Sequence, residues 1–350
     1  MVNWKIMKTN TSSDIFFHNK VLMLNVFLTF IIVVLHSNPL NRIGIDIPNS
    51  YLLVHSIEVF AQIGVPMFFF ISAILFYKSL SAMSKIKDKL MTRIRSLVIP
   101  YILWNIIFVG IYWTMTHISF IASMMNMPPV SSDVAGIMLS IINSKYTVLW
   151  FVKDLIVFCL MSPVFYFILK SKIIMVVSIC GLVFLNMSYS MEYESIWHWL
   201  PVYLLGAYIG YNKLYMITPP TENYQRKIAV GCIVVMVGLY AIAYLDDRRM
   251  FLFRFLSPIL IWALYDCFPA KWTLTKFQEK KWMRGLFFIY CTHFFIINIF
   301  QKIIFKILPH NHLCINSIQL ITPVLVFLFL VACINMIAEN KIYRALIGGR

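Results

Sequence analysis

Apolar residues run along this chain in stretches of about 17 to 25, and the polar residues are gathered into short connections between them. Ten such stretches can be placed, at roughly 20–37, 56–77, 96–117, 148–169, 173–189, 197–212, 228–245, 251–268, 285–306 and 317–338. Hydrocarbon leaves no water to satisfy backbone N–H and C=O groups, so each stretch is expected to be a helix. The alternating short segments of a β-barrel are missing. The expectation is an all-α, polytopic integral membrane bundle of about ten transmembrane helices. The connections are too short for a soluble unit, which makes 1–350 one membrane domain with a lead at 1–19 and a tail at 339–350. The longest connection, 118–147, has room for one interfacial helix.

Composition strengthens this picture, because 61% hydrophobic against 13% charged residues is more apolar surface than one aqueous domain can bury. Orientation follows from Lys and Arg. With the N-terminus inside, 22 basic residues fall in inner segments, including Lys5, Lys8, Lys20, Lys78, Lys271, Lys276 and Arg350, while the outer ones hold Arg42, Lys145, Arg248 and Arg249. Both termini are therefore expected in the cytoplasm, with the chain in the cell inner membrane. The same distribution accounts for the net charge of +16 without nucleic acid. The seven cysteines are scattered, with neither metal-ligand spacing nor a disulfide framework.

Ionisable groups at membrane depth are costly and therefore few. His36 ends the first stretch and Glu58 opens the second on the same side. Together they suit a general base oriented by a carboxylate, and a water-satisfied interfacial histidine is the alternative. His293 lies about 12 Å into the ninth stretch, where it either lines a cavity or bonds helix to helix. Lys153 and Asp154 are adjacent and so point about 100° apart. Arg254 is placed to snorkel, and Asp266 to be solvated at an inner helix end. The inner loop 78–95 gathers Lys78, Lys85, Lys87, Lys89, Arg93 and Arg95, a cluster that topology and anionic lipid account for and that also suits donor phosphates. Gly64 and Pro66 interrupt the second stretch, and a broken helix is tolerated where it lines a cavity.

Several segments together resemble the signature blocks of the membrane acyltransferase family 3. They are Ile31–Ser37 with His36, Gly64–Ala73, Arg93–Tyr101, Leu149–Val152 with Trp150, Tyr203–Gly210 and Phe288–His293. Their order covers almost the whole chain. The resemblance implies an acyl-CoA donor, acetyl-CoA above all, on the cytoplasmic side, and a glycan or lipid-linked sugar as acceptor on or near the outer side. It makes His36 the catalytic histidine and Arg93 the donor-binding arginine. The mechanism expected on that basis has Glu58 orienting His36, Arg95 and Lys89 joining Arg93 on the donor phosphates, and Ser72, Trp150 and His293 lining the pocket, with no metal required. Members commonly carry arginine eleven residues before the histidine, where this chain has Asn25. Eleven residues make three turns plus about 20°, so Asn25 shares His36's face about 16 Å away, and asparagine supplies hydrogen bonds without charge. Ala73 replaces a usual glycine, and Arg95 stands one place early. The function implied is O-acetylation of a cell-envelope or exported glycan. A glycan or small-molecule transporter on the same scaffold, without transfer chemistry, is the alternative that Asn25 favours.

Overall fold

The computed structural model describes residues 12–40, 48–118, 133–145, 148–189, 191–214, 222–267, 279–309 and 311–349. Lys5, Lys8, Arg42, Lys271, Lys276 and Arg350, all used above for orientation, lie outside them. The apolar stretches are helices, with no strand among the described residues. α1 (Ser12–His36), α2 (Pro48–Ala61) and α3 (Gly64–Tyr77) are followed by α4 (Lys85–Arg93), a π turn (Ile94–Val98) and α5 (Ile99–His117). Then come α6 (Val134–Ile142), α7 (Trp150–Leu160), α8 (Ser162–Lys170), α9 (Lys172–Ser188) and α10 (Ile196–Tyr211). The chain continues with α11 (Glu222–Leu245), α12 (Met250–Asp266), α13 (Leu286–Ile307), α14 (His312–Ile337) and α15 (Lys341–Leu346).

The chain is a multi-pass membrane protein, and among the described residues six or seven of the ten expected stretches form helices long and apolar enough to span. Asp14–His36, Ser50–Tyr77, Lys85–His117, Glu222–Leu245, Lys281–Ile307 and His312–Ile337 are each long and apolar enough to cross a bilayer. A seventh span forms if Trp150–Leu160 and Ser162–Lys170, bent by 61°, count as one. The expected spans at 173–189, 197–212 and 251–268 are helices of 17, 16 and 17 residues. At 1.5 Å per residue these reach about 24–26 Å, short of a hydrocarbon core of about 30 Å. Among the described residues, length and composition thus give six or seven spans, and the three shorter helices fall below that length test. α11 nevertheless exposes Val230, Ile233, Val234 and Val237, a surface suited to lipid.

Proline sets the breaks. Pro66 cannot donate to the Gln62 carbonyl and crowds it, and the chain turns at Gln62 and Ile63 through short i to i+3 bonds before α3 begins. Pro163 bends the chain between α7 and α8 in the same way. Pro100 leaves the Ser96 carbonyl without its helical donor, and the widened π turn stands just before it. The expected inner loop at 78–95 is in fact helical from Lys85 onward, running without a break into α5. The tail returns to this place: Trp104 Nε1 donates to the Leu346 carbonyl at 3.0 Å, and Tyr343 and Ile347 are buried.

Two glycines hold the centre of the bundle together. Every residue of α3 except Ser72 and Leu75 is buried. Its neighbour α10 presents Gly206 and Gly210, one turn apart. A Cβ at Gly206 would stand 2.5 Å from the Phe70 carbonyl oxygen, and one at Gly210 would stand 2.7 Å from that of Ile74. The obstacles are backbone atoms that no rotamer can move, so this close approach of small residues sets the helix separation. α3 also runs antiparallel to α1. Gly64 abuts Ile31 and Ile32, while the Lys78 ammonium at the far end lies 3.6 Å over the Phe17 ring.

At that far end Lys20 of α1 and Asp266 of α12 form a fully buried ion pair, and the ammonium sits 3.8 Å over the Trp262 ring. Asp266 is therefore not solvated, and Lys20 is not a loop charge. An unpaired ion in such a place is far costlier than the pair, so it locks α1 to α12.

Two outcomes follow from this packing. Gly206→Ala is expected to lower the melting temperature in detergent. Gly231→Ala, whose Cβ would meet nothing within 4 Å, should leave it unchanged or raise stability by up to about 1 kcal/mol. Asp266→Ala should cost ~3–5 kcal/mol by stranding Lys20, and Lys20→Met combined with Asp266→Leu should restore most of that loss. Equal melting for the single and double variants would show that the pair does not clamp the helices.

Candidate active site

α1 ends on His36, a half-buried ring whose centroid lies 5.1 Å from that of His293 on α13 and 5.4 Å from Phe294. Val33, Leu286, Ile289 and Ile297 are buried in one cluster with α14 and bring α1 and α13 together. Gln301 Nε2 donates at 2.7 Å to the Ser37 carbonyl, one of the carbonyls left without a helical donor where α1 ends. His293 is fully buried. Its Nδ1 lies 2.8 Å from the Tyr290 carbonyl and 3.1 Å from that of Ile289. Carbonyls only accept, so Nδ1 carries the hydrogen, and in the neutral ring Nε2 offers a lone pair. That Nε2 atom is buried without a hydrogen-bond partner. Glu58 lies at this same end, but the hydrogen bond on its carboxylate is donated by Asn38 Nδ2, at 3.1 Å.

Aromatic side chains extend the site toward α7 and α10. The Tyr290 ring is 6.1 Å from His293 and 5.9 Å from Phe151, and its hydroxyl donates to the Val148 carbonyl. Trp150, beside Phe151, has its ring 5.3 Å from Tyr193 and 6.1 Å from Trp199. One turn beyond Trp150, Asp154 is fully buried with neither carboxylate oxygen hydrogen-bonded, while Lys153 is half-buried.

The basic residues stand at the other end of α3. Lys89 Nζ lies 5.3 Å and Arg93 Cζ 5.7 Å from the Phe76 ring, and Lys89 donates to Ser79 Oγ at 2.7 Å. Arg93 is buried, one turn after Lys89 on the same helix face. Arg95, two residues on and within the π turn, is exposed. The structure thus joins Lys89 with Arg93 and turns Arg95 away. Lys78 is drawn inward too, and burial lowers its pKa, with Asp14 opposing the shift. Asn25 is buried on α1, and its carbonyl accepts from Thr29 Oγ1. Ser72 is half-buried midway along α3, in the i, i+4 row Phe68, Ser72, Phe76 that runs from Phe151 to the basic pair.

A second polar group near the His36 end went unread in the sequence. Arg254 does not snorkel. Its Nε donates to Gln62 Oε1 at 3.1 Å, its Nη1 lies 3.4 Å from His198 Nε2, and its Cζ is 4.5 Å from the Tyr193 ring centroid. The available signals were weak: an arginine inside an apolar helix, and a histidine between Trp197 and Trp199.

Comparison with known proteins bears on what these groups do. A family model for the acyltransferase domain of this class matches residues 23–337, a range that includes Asn25, His36, Arg93, Trp150 and His293. No curated relative matches the chain, and no solved structure does. The match covers nearly the whole bundle and favours transfer chemistry over the transporter alternative. By that match the chain belongs to the membrane acyltransferase family 3 and is an acyltransferase.

Proposed function

We propose that this acyltransferase moves an acetyl group from acetyl-CoA to a hydroxyl of a cell-envelope or exported glycan, within the inner membrane and with both termini in the cytoplasm. The asymmetry of Lys and Arg between the inner and outer connections of the ten-stretch reading supports that orientation. The observation that carries the reading is the histidine pair: His36 lies 5.1 Å, ring to ring, from a buried His293 whose Nε2 has no partner.

In this reading a ring nitrogen of His36 takes the proton from the acceptor hydroxyl as its oxygen attacks the thioester carbonyl. The carbon–sulfur bond then breaks, and the CoA sulfur leaves with a proton. His293, fixed by two backbone carbonyls, keeps a lone pair turned to the reacting groups and holds the His36 ring or the hydroxyl in place. Glu58, through Asn38, steadies the end of α1. Trp150 lines the acceptor side. Lys89 and Arg93 hold the donor phosphates, Arg93 by paired N–H bonds and Lys89 as a point charge. The row Phe76, Ser72, Phe68 gives the acyl arm a path of about 12 Å along α3 toward the histidines. Asn25 replaces charge with hydrogen bonding on that inner face, and lipid surrounds the whole.

Protein reconstituted in lipid with radiolabelled acetyl-CoA and envelope glycan is expected to label the glycan. His36→Ala should cut the rate by about 10²–10⁴ while melting as the parent does. Full activity in a folded His36→Ala protein would remove the mechanism. In a direct titration Arg93→Ala should weaken acetyl-CoA binding by about tenfold or more. Arg95→Ala, whose side chain faces outward, should change it little. Equal losses from the two would contradict the assignment of the donor site.

A further inference from the structure

The group around Arg254 is made of unpartnered donors. A guanidinium only donates, so where Arg254 Nη1 meets His198 Nε2 the imidazole accepts, and Nδ1 carries the ring hydrogen. His198 is 5% exposed, and that Nδ1 has no hydrogen-bond partner. The Tyr193 hydroxyl is likewise buried and unpartnered. The three groups adjoin one another: Arg254 lies 4.5 Å over the Tyr193 ring, and the Tyr193 and His198 rings are 6.1 Å apart. Glu58 and Asp247 are within electrostatic reach of Arg254, but among the described residues no carboxylate pairs with it. Buried donors of one sign, gathered around a half-buried cation, require a ligand that brings acceptors and negative charge. The Tyr193 ring also touches Trp150, so the group opens onto the aromatic wall of the candidate site.

We propose that Arg254, His198 and Tyr193 form a subsite for an anionic group on the acceptor, a carboxylate or phosphate whose oxygens take the free N–H and O–H bonds. Placing the anion on the acceptor rests on the acyl-transfer reading, whereas the subsite itself does not. Two sources share this chemistry, the carboxylate of an acidic sugar and the phosphate of a lipid-linked one. The aromatic wall suits either, since sugar faces and polyprenyl chains both pack on rings.

The test is a binding titration on the purified full-length protein in lipid nanodiscs. Methyl glucuronide is compared with methyl glucoside, and a polyprenyl phosphate with the neutral polyprenol. One anionic probe should bind about tenfold or more tightly than its neutral counterpart, as charge-assisted hydrogen bonds require. The arm that shows the preference names the source. Arg254→Gln should erase the preference, and Arg254→Lys should restore part of it. If Arg254→Gln does not fold, Tyr193→Phe replaces it and should reduce the preference several-fold by removing one donor. The proposal is overturned if neither anionic probe is preferred, or if the preference survives in the folded variants. Acetyl-CoA binding measured in the same preparations should not respond to these substitutions. Anion preference without any acetyl transfer would count against the acyl-transfer reading alone, and transfer without anion preference would count against the subsite alone.

Discussion

Inside a bundle that faces lipid, a polar atom must find its partner within the protein, and most of this chain's chemistry follows from where that demand is met and where it is not. Thr29, Ser37 and Thr292 return their hydroxyls to carbonyls four residues back on their own helices. Gln301 reaches from α13 to the end of α1, and Lys20 and Asp266 neutralise each other across 246 residues of sequence. Against these satisfied groups stand Nε2 of His293, Nδ1 of His198, the hydroxyl of Tyr193 and the carboxylate of Asp154, all buried without a hydrogen bond. Other buried polar atoms without a partner are spread through the bundle, but His293, Tyr193 and His198 are joined by ring contacts to the wall of Trp150, Phe151, Tyr290 and Trp199. Unpartnered atoms that adjoin one another on such a wall are open to pairing with a ligand's own polar atoms.

The packing shows how that wall and the basic residues are linked, as the proposed transfer requires. Gly206 and Gly210 let α10 lie against the backbone of α3, which fixes α3 as a buried strut between the two ends of the bundle. Gly64 begins this strut near the His36 end, and Phe76 finishes it under Lys89 and Arg93. About 20 Å of helix separates them, with Ser72 in the row between. In the proposed reading, a donor held by phosphates at one end and an acceptor held at the other meet along this strut.

Local pattern made part of this visible in the sequence. Runs of apolar residues announced the helices, and Gly64 with Pro66 announced the break at Gln62 and Ile63, because both effects act within a few residues. The lengths of the spans were not legible, since the ends of the 16- and 17-residue apolar helices are located only in the structure. The direction of Arg95 was hidden because 78–95 was expected to be a loop; on the helix that forms there, residues two apart point about 200° from each other, which buries Arg93 and exposes Arg95. Pairings across the chain were also out of reach. Lys20 with Asp266, His36 with His293, and Arg254 with Gln62, Tyr193 and His198 all join segments that periodicity treats as independent. His36, His293 and Arg93 were singled out by polarity at depth and by resemblance, whereas His198 and Tyr193 gain meaning only from the hydrogen bonds they lack.

The central claim is that donor and acceptor enter from opposite ends and meet at the histidine pair. Proteoliposomes loaded with labelled acetyl-CoA inside, and given the glycan acceptor only outside, test it directly. Label is predicted to appear on the external glycan while the vesicles remain sealed to acetyl-CoA. Label that reaches glycan only when both substrates share a compartment would contradict the account.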